Sequence, residues 1–284
     1  MSRASYLNNK ELKALVSLLD DDDTEVIQHV EGRIMAQGTH IIPYLEFEWE
    51  NSFNPVVQKR IEELVHGLQF ELTKEKLYAW KAQGAKDLLE GMWLINTYQY
   101  PDLEFAQLTK EIEQLYYNVW MEFKSDIHPI DQVKQLNSVF FNSLHFSANT
   151  KNFHSPGNSM LNVVLQTRKG NPISLCVIYM LVAQKLKMPI YGVNLPNLFI
   201  MTYKNEDAQF YINAFNRGLI FSRKEIDEYI ENLHLQPHDT FYEPCSNEDI
   251  VVRVLRNLIN SHEKLGHTEK VEEIKSMLDV LRSV

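Results

Sequence analysis

The chain is short of cysteine, of cations and of long apolar runs, and each shortage closes off a class of function. Two cysteines occur in 284 residues, Cys176 and Cys245. They allow at most one bridge, which excludes a disulfide-built secreted scaffold and suits a reducing compartment. Lysine and arginine together number 28 against 38 aspartates and glutamates, a formal charge of -10. Without a cationic excess to release counterions from phosphates, neither nucleic acid nor an anionic membrane surface is an expected partner. The longest apolar stretch, PISLCVIYMLVA from Pro172 to Ala183, is interrupted by a serine and too short to span a bilayer. It reads as a buried helix. The opening MSRASYLNNK is polar and has no signal-peptide core, so the expected location is the cytoplasm. HExxH, CxxC and glycine-rich phosphate loops are missing too, and no metal or cofactor is expected. His234 and His238 are four apart, but Pro237 between them breaks the helical register that would put both on one face.

What is present divides into two or three units, at roughly 100 to 200 residues per domain. Residues 1–73 contain two helix pairs that look like diverged copies, with Val26, Val30 and Ile34 recurring as Val57, Ile61 and Val65. A period of about 30 residues points to helical repeats of HEAT type. Asp20 to Asp23 with Thr24, and Asn54-Pro55, precede the second helix of each copy. Oxygen acceptors, acidic residues and a first-turn proline all favour a helix start. A calcium loop would also need a central glycine and a later glutamate, which the aspartate run lacks.

Residues 74–244 form the core. Its lead-in is helical and aromatic-rich, with Trp80, Trp93, Tyr98, Tyr116, Tyr117, Trp120 and Phe123 expected as core, and Gly91 and Pro101 as punctuation. A helix from Ile130 to Leu144 then precedes a loop, HFSANTKNFHSPGNS. After the apolar helix, IYGVNL, LFIMTY and AQFYINAF read as strands of an antiparallel sheet packed against the Cys176 helix. Residues 245–284 read as a helical hairpin, with Gly266 ending one helix and Thr268 opening the next. The expected fold class is α+β, mainly α.

The segment from Ser155 to Tyr203 resembles the bacterial transglutaminase-like proteins of the SirB type. The residues that carry the likeness are Asn158-Ser159, Leu161, the run Arg168 to Leu175 (RKGNPISL), Tyr179, Gly192, Pro196, Phe215-Asn216 and Gly218. The resemblance implies a helical N-terminal region, a transglutaminase/papain-like core and a tetratricopeptide-like C-terminal hairpin. It also implies acyl-transfer chemistry carried by a cysteine, a histidine and an aspartate. A thiol works there as thiolate, at a helix N-terminus, beside an imidazole that a carboxylate orients.

Cys176 falls at the nucleophile position. Leu198, in Pro-Asn-Leu-Phe, stands where the family carries histidine, and Asn213, in Ile-Asn-Ala-Phe-Asn, stands where it carries aspartate. Without a base the thiol stays near its free pKa of about 8.5, and general-acid help worth about 10² to 10⁴ in rate is lost. Two readings follow. In one, Cys176 is a small buried hydrophobe in a catalytically degenerate protein that binds a protein or peptide partner. In the other, Cys176 serves an active thiol hydrolase or acyl transferase with a base from outside the family positions, for which His145 and His154 are the nearest imidazoles in sequence. The first is favoured, because reactivity needs an electropositive partner that the sequence does not supply. Cys245, in the polar turn EPCSNED, is expected to be incidental, and Arg168-Lys169-Gly170 to be a helix end with cations and a glycine cap.

Overall fold

A computed structural model of the chain describes residues 7–282. The polar opening at 1–6 lies outside the described residues. No helix among the described residues is long and apolar enough to cross a membrane. The chain separates into two compact units, with the boundary between Lys76 and Leu77.

The first unit contains α1 (Asn9–Val16), α2 (Thr24–Met35), α3 (Ile42–Asn51) and the start of α4 (Pro55–Ala82). Its two helix pairs share one core, in which Val30, Ile34, Val57 and Ile61 are buried and Val26 and Val65 pack at the edge. The aspartate run caps α2: the Asp23 carboxylate accepts the Glu25 N–H at 2.8 Å. Asn54 does the same for α4, accepting the Val56 N–H at 3.0 Å. Each bond satisfies a backbone donor that a helix start leaves free.

The second unit takes the end of α4 and continues through α5 (Leu88–Gln99), α6 (Phe105–Trp120) and α7 (Pro129–Asn137). Gly91 lies inside α5, not at its end. A Cβ there would meet the Trp80 ring at 2.6 Å, so the glycine lets α5 rest on that ring. Only part of the aromatic stripe is core. Trp80 and Tyr98 are buried, whereas Tyr117 and Trp120 are more than half exposed. Periodicity locates a face but does not say whether another element covers it.

The helix expected to reach Leu144 ends as α7 at Asn137 and passes into a single π turn over 138–143. The loop after it contains β1 (Ser147–Ala148), followed by α8 (Leu161–Thr167), β2 (Lys169–Gly170) and α9 (Pro172–Lys185). Here a sequence expectation is corrected. Arg168, not Gly170, takes the left-handed position that ends α8, with φ 59°. Lys169 and Gly170 instead pair in parallel with Ser147 and Ala148. The Arg168 guanidinium lies 4.8 Å from the centre of the Phe146 ring, a cation–π contact that holds the side chain in place.

The main sheet is an antiparallel meander of β3 (Ile190–Leu195), β4 (Leu198–Lys204), β5 (Gln209–Asn213) and β6 (Leu219–Phe221). The last strand is only three residues long, below the length that alternation reveals. Helix α9 packs on one face against β3 and β4. The other face carries Val193, Leu195, Ile200 and Tyr211 into a cluster with Ile226 and Ile230 of α10 (Arg223–Asn232) and with Tyr242. The terminal hairpin of α11 (Asn247–Leu265) and α12 (Thr268–Arg282) turns at Gly266, φ 73°.

Candidate functional site

Several polar residues in the segment that resembles the transglutaminase-like proteins form one hydrogen-bonded frame around the start of α9. Asn171 caps the helix: its side-chain oxygen accepts the Ser174 N–H at 2.9 Å, and Ser174 Oγ accepts the Asn171 N–H at 3.1 Å. The Asn171 amide also donates to Ser159 Oγ at 2.8 Å. Asn158 ties down the preceding loop by donating to the carbonyls of Asn152 at 2.7 Å and Phe153 at 3.0 Å. Gly170 is required because a Cβ there would collide with Ser174 Oγ. Further along, Tyr179 donates to Asn137 Oδ1 at 2.9 Å, and Asn137 Nδ2 donates to the Gly218 carbonyl at 2.8 Å. That chain joins α9, α7 and the turn before β6. These groups are satisfied by one another, so the frame fixes geometry and leaves little free for chemistry.

Cys176 is the fifth residue of α9 and fully buried. Its sulfur lies 3.8 Å from the Phe199 carbonyl oxygen, to which the thiol donates, and the Ala214 N–H is directed at it from the short turn after β5. Burial pushes the thiol pKa up to about 12, the Ala214 amide opposing the rise only in part. The helix end gives little help, since its field fades within the first turn.

The strands that carry Leu198 and Asn213 therefore do reach Cys176. They present the backbone of the next residue, Phe199 and Ala214, in place of a side chain. Leu198 itself packs against the cluster on the α10 side of the sheet. Alternation along β4 then sends its neighbour Phe199 to the face that carries α9. The Asn213 side chain accepts the Asn216 N–H at 3.2 Å and closes the short turn after β5. His145 and His154 are exposed, and the His154 ring faces Lys264, whose Nζ is 2.9 Å from its Nε2. Neither histidine is among the partners of the sulfur.

Cys245 lies in the segment between α10 and α11. It is half-buried, its N–H donates to the Gly192 carbonyl at 2.8 Å, and burial raises its thiol to about 12 as well. No group of three or more His, Cys, Asp or Glu residues among those described is placed to hold a metal ion.

A small antiparallel sheet with a cysteine-bearing helix on one face agrees with the family resemblance, and the comparisons with known proteins decide it. The family model described as the transglutaminase-like superfamily matches residues 106–256. The chain belongs to the transglutaminase-like superfamily. A UPF0162 protein of Xylella fastidiosa strain 9a5c is 32% identical over 182 residues, covering 60% of this chain and 63% of that protein. UPF0162 protein YchA of Escherichia coli is 26% identical over 176 residues, covering 61% and 64%. F-box only protein 21 of Mus musculus is 27% identical over 153 residues, covering 51% of this chain and 24% of that longer protein. The matches span 63% and 66% of the two Xylella fastidiosa relatives. No solved structure matches.

In the second unit a cavity of about 240 Å³ opens beside the start of α9, between the core and the terminal hairpin. Asn171, Pro172 and Ile173 form one wall, Asn197 and Phe199 another, and Arg253, Asn257, Asn260 and Ser261 of α11 a third. Cys176 is not among the residues that line it. The α11 residues were missed in the sequence, where that helix reads only as half of a hairpin. Their signal was available: positions 253, 257, 260 and 261 share one helical face, and two asparagines in a helix interior are costly unless they serve a purpose.

Proposed function

We propose that the protein is a catalytically silent transglutaminase-like protein that works in the cytoplasm as a protein- or peptide-binding module. One observation carries the reading: the thiol at the nucleophile position is fully buried, with a raised pKa, and its polar contacts are backbone groups of Phe199 and Ala214. A nucleophile in that state is neutral at physiological pH and out of reach of substrate. Leu198 and Asn213, at the positions of the family's base and orienter, supply neither function. Two helix pairs in the first unit and a helical hairpin in the second give HEAT-like and tetratricopeptide-like surfaces of the kind that bind other proteins. The match to a part of an F-box protein supports use of the core as one module of a larger chain.

The reading is tested by incubating the full chain with a fluorescent primary amine and a glutamine-bearing acceptor such as casein. The expected result is incorporation no greater than that of the Cys176→Ala variant. Incorporation that requires Cys176 would establish the active thiol enzyme instead.

A further inference from the structure

The cavity beside α9 differs from the rest of this acidic protein in the charges it presents. The chain carries 38 aspartates and glutamates, yet none lines this cavity. Its donors come from three directions. Arg253 enters from α11 and uses Nη1 to hold Asn194 Oδ1 at 3.0 Å and the Leu195 carbonyl at 3.4 Å. No bond to a described residue engages its Nη2 or Nε. Burial lowers the Arg253 pKa, as expected of a guanidinium that lacks a counter-ion. From the second direction comes the N-terminus of α9, whose Ile173 N–H makes no bond to a described residue, since Asn171 caps the Ser174 N–H instead. The third donor is Ser261, 7% exposed, a residue of the cavity wall whose hydroxyl has no hydrogen-bond partner among the described residues. The hydroxyl is not itself sealed from solvent, so it stands open to the cavity as a donor for a bound group.

The remaining wall selects among anions. Asn197, Asn257 and Asn260 each offer a donor and an acceptor, the pair that a peptide unit requires. Phe153, Pro172 and Phe199 supply an apolar side. Arg253 is the one arginine on the wall, and His154, whose ring faces Lys264, lies at its edge; a single guanidinium suits a single negative charge better than a phosphate dianion. At about 240 Å³ the cavity is smaller than a drug-sized site, typically about 300 to 1,000 Å³, and suits a chain end.

We propose that this cavity binds the C-terminal carboxylate of a peptide, with Arg253, Ser261 and the α9 N-terminus on the carboxylate and the asparagines on the adjoining peptide unit. The inference rests on the binding-module reading and names the ligand class that the module takes.

The test is an NMR titration of the isotopically labelled full chain, reading the side-chain amide signals of Asn257 and Asn260. Three probes are compared: N-acetyl-alanyl-alanine, its C-terminal amide, and inorganic phosphate. The free acid is expected to give saturable shifts in the millimolar range, with the amide at least about tenfold weaker. Asn257→Asp is nearly isosteric and should weaken the acid about tenfold or more by like-charge repulsion, while leaving the melting temperature near that of the parent. Ser261→Ala should weaken it a few-fold. Equal shifts from acid and amide, binding of the acid undiminished in Asn257→Asp, no saturable shift at all, or phosphate binding more tightly than the acid would each overturn the proposal. Failure of the binding-module reading is separate: it appears as Cys176-dependent amine incorporation, whatever the titration gives.

Discussion

The Cys176 sulfur and the Phe199 carbonyl oxygen lie 3.8 Å apart, across the junction of α9 and β4. The residue before Phe199 is Leu198, where the sequence resemblance leads one to expect histidine, and its side chain is on the opposite face of the strand. The fold thus brings the backbone of β4 to the thiol and turns the Leu198 side chain away from it. Five predictions follow from this and from related contacts.

Cys176 should resist alkylation. With its pKa near 12, its thiolate fraction at pH 8 is about 10³ lower than that of a free thiol, and the group is also fully buried. Iodoacetamide labelling of the native protein, followed by mass spectrometry of the Cys176 peptide, should be at least about 100-fold slower than in denaturant. Comparable rates would contradict the buried geometry.

Placing histidine and aspartate at positions 198 and 213, where the resemblance leads one to expect them, tests side-chain direction. If the sequence positions alone decided reactivity, Leu198→His with Asn213→Asp would activate Cys176. Because Leu198 packs on the α10 side, the double variant should label at Cys176 within about twofold of the parent at pH 7 to 8 and should lose stability from a histidine placed in an apolar cluster. A large gain in labelling would show that the strand can turn.

Gly218 and Gly266 share φ 73° but not surroundings. Gly266→Ala, with open space around it, should cost only the left-handed backbone penalty of about 1 kcal/mol. Gly218→Ala adds a collision with the Asn137 side chain, which holds Tyr179, so its cost should exceed that of Gly266→Ala by about 2 kcal/mol or more. Urea titrations of the two variants measure the difference, and equal costs would discount the Asn137 link.

Asn171→Ala removes the cap of α9 and the partner of Ser159 together. A lost cap costs about 1 kcal/mol, and a buried hydroxyl left without its donor adds about the same again. A decrease in stability of about 2 kcal/mol is expected by chemical denaturation, and a change below about 0.5 kcal/mol would show the frame to be dispensable.

His262 makes the fold acid-sensitive. It is 2% exposed, its Nε2 has no partner among the described residues, and its Nδ1 is 3.1 Å from Nδ1 of His267, so only one of those two nitrogens can carry a proton comfortably. Burial first, then Lys270 and His267, lower its pKa below the ordinary 6.5. The unfolded chain therefore takes up a proton before the native one does. Stability is complete above about pH 6.5 and is lost as pH falls through and below that value. The melting temperature should drop between about pH 7 and 5, and His262→Leu should flatten the slope. An unchanged slope would assign the effect to other groups.

The sequence alone made the elements and the family legible. Helix caps at Asp23 and Asn54, the β-branched and aromatic runs of β3 to β5 and the glycine at 266 are set by near neighbours, because propensity and capping act over a few residues. The superfamily was visible for the same reason, through a continuous motif around α9. Local pattern did not reveal the π turn after Asn137 or the left-handed Arg168, each imposed by contacts with distant segments. The tertiary structure also decided the chemistry. Whether Cys176 meets water, which way Leu198 points, and that Arg253 and Ser261 join Asn171 around one cavity depend on how elements up to about a hundred residues apart pack. Solvation and the direction of a side chain are properties of that packing, and no run of neighbouring residues encodes them.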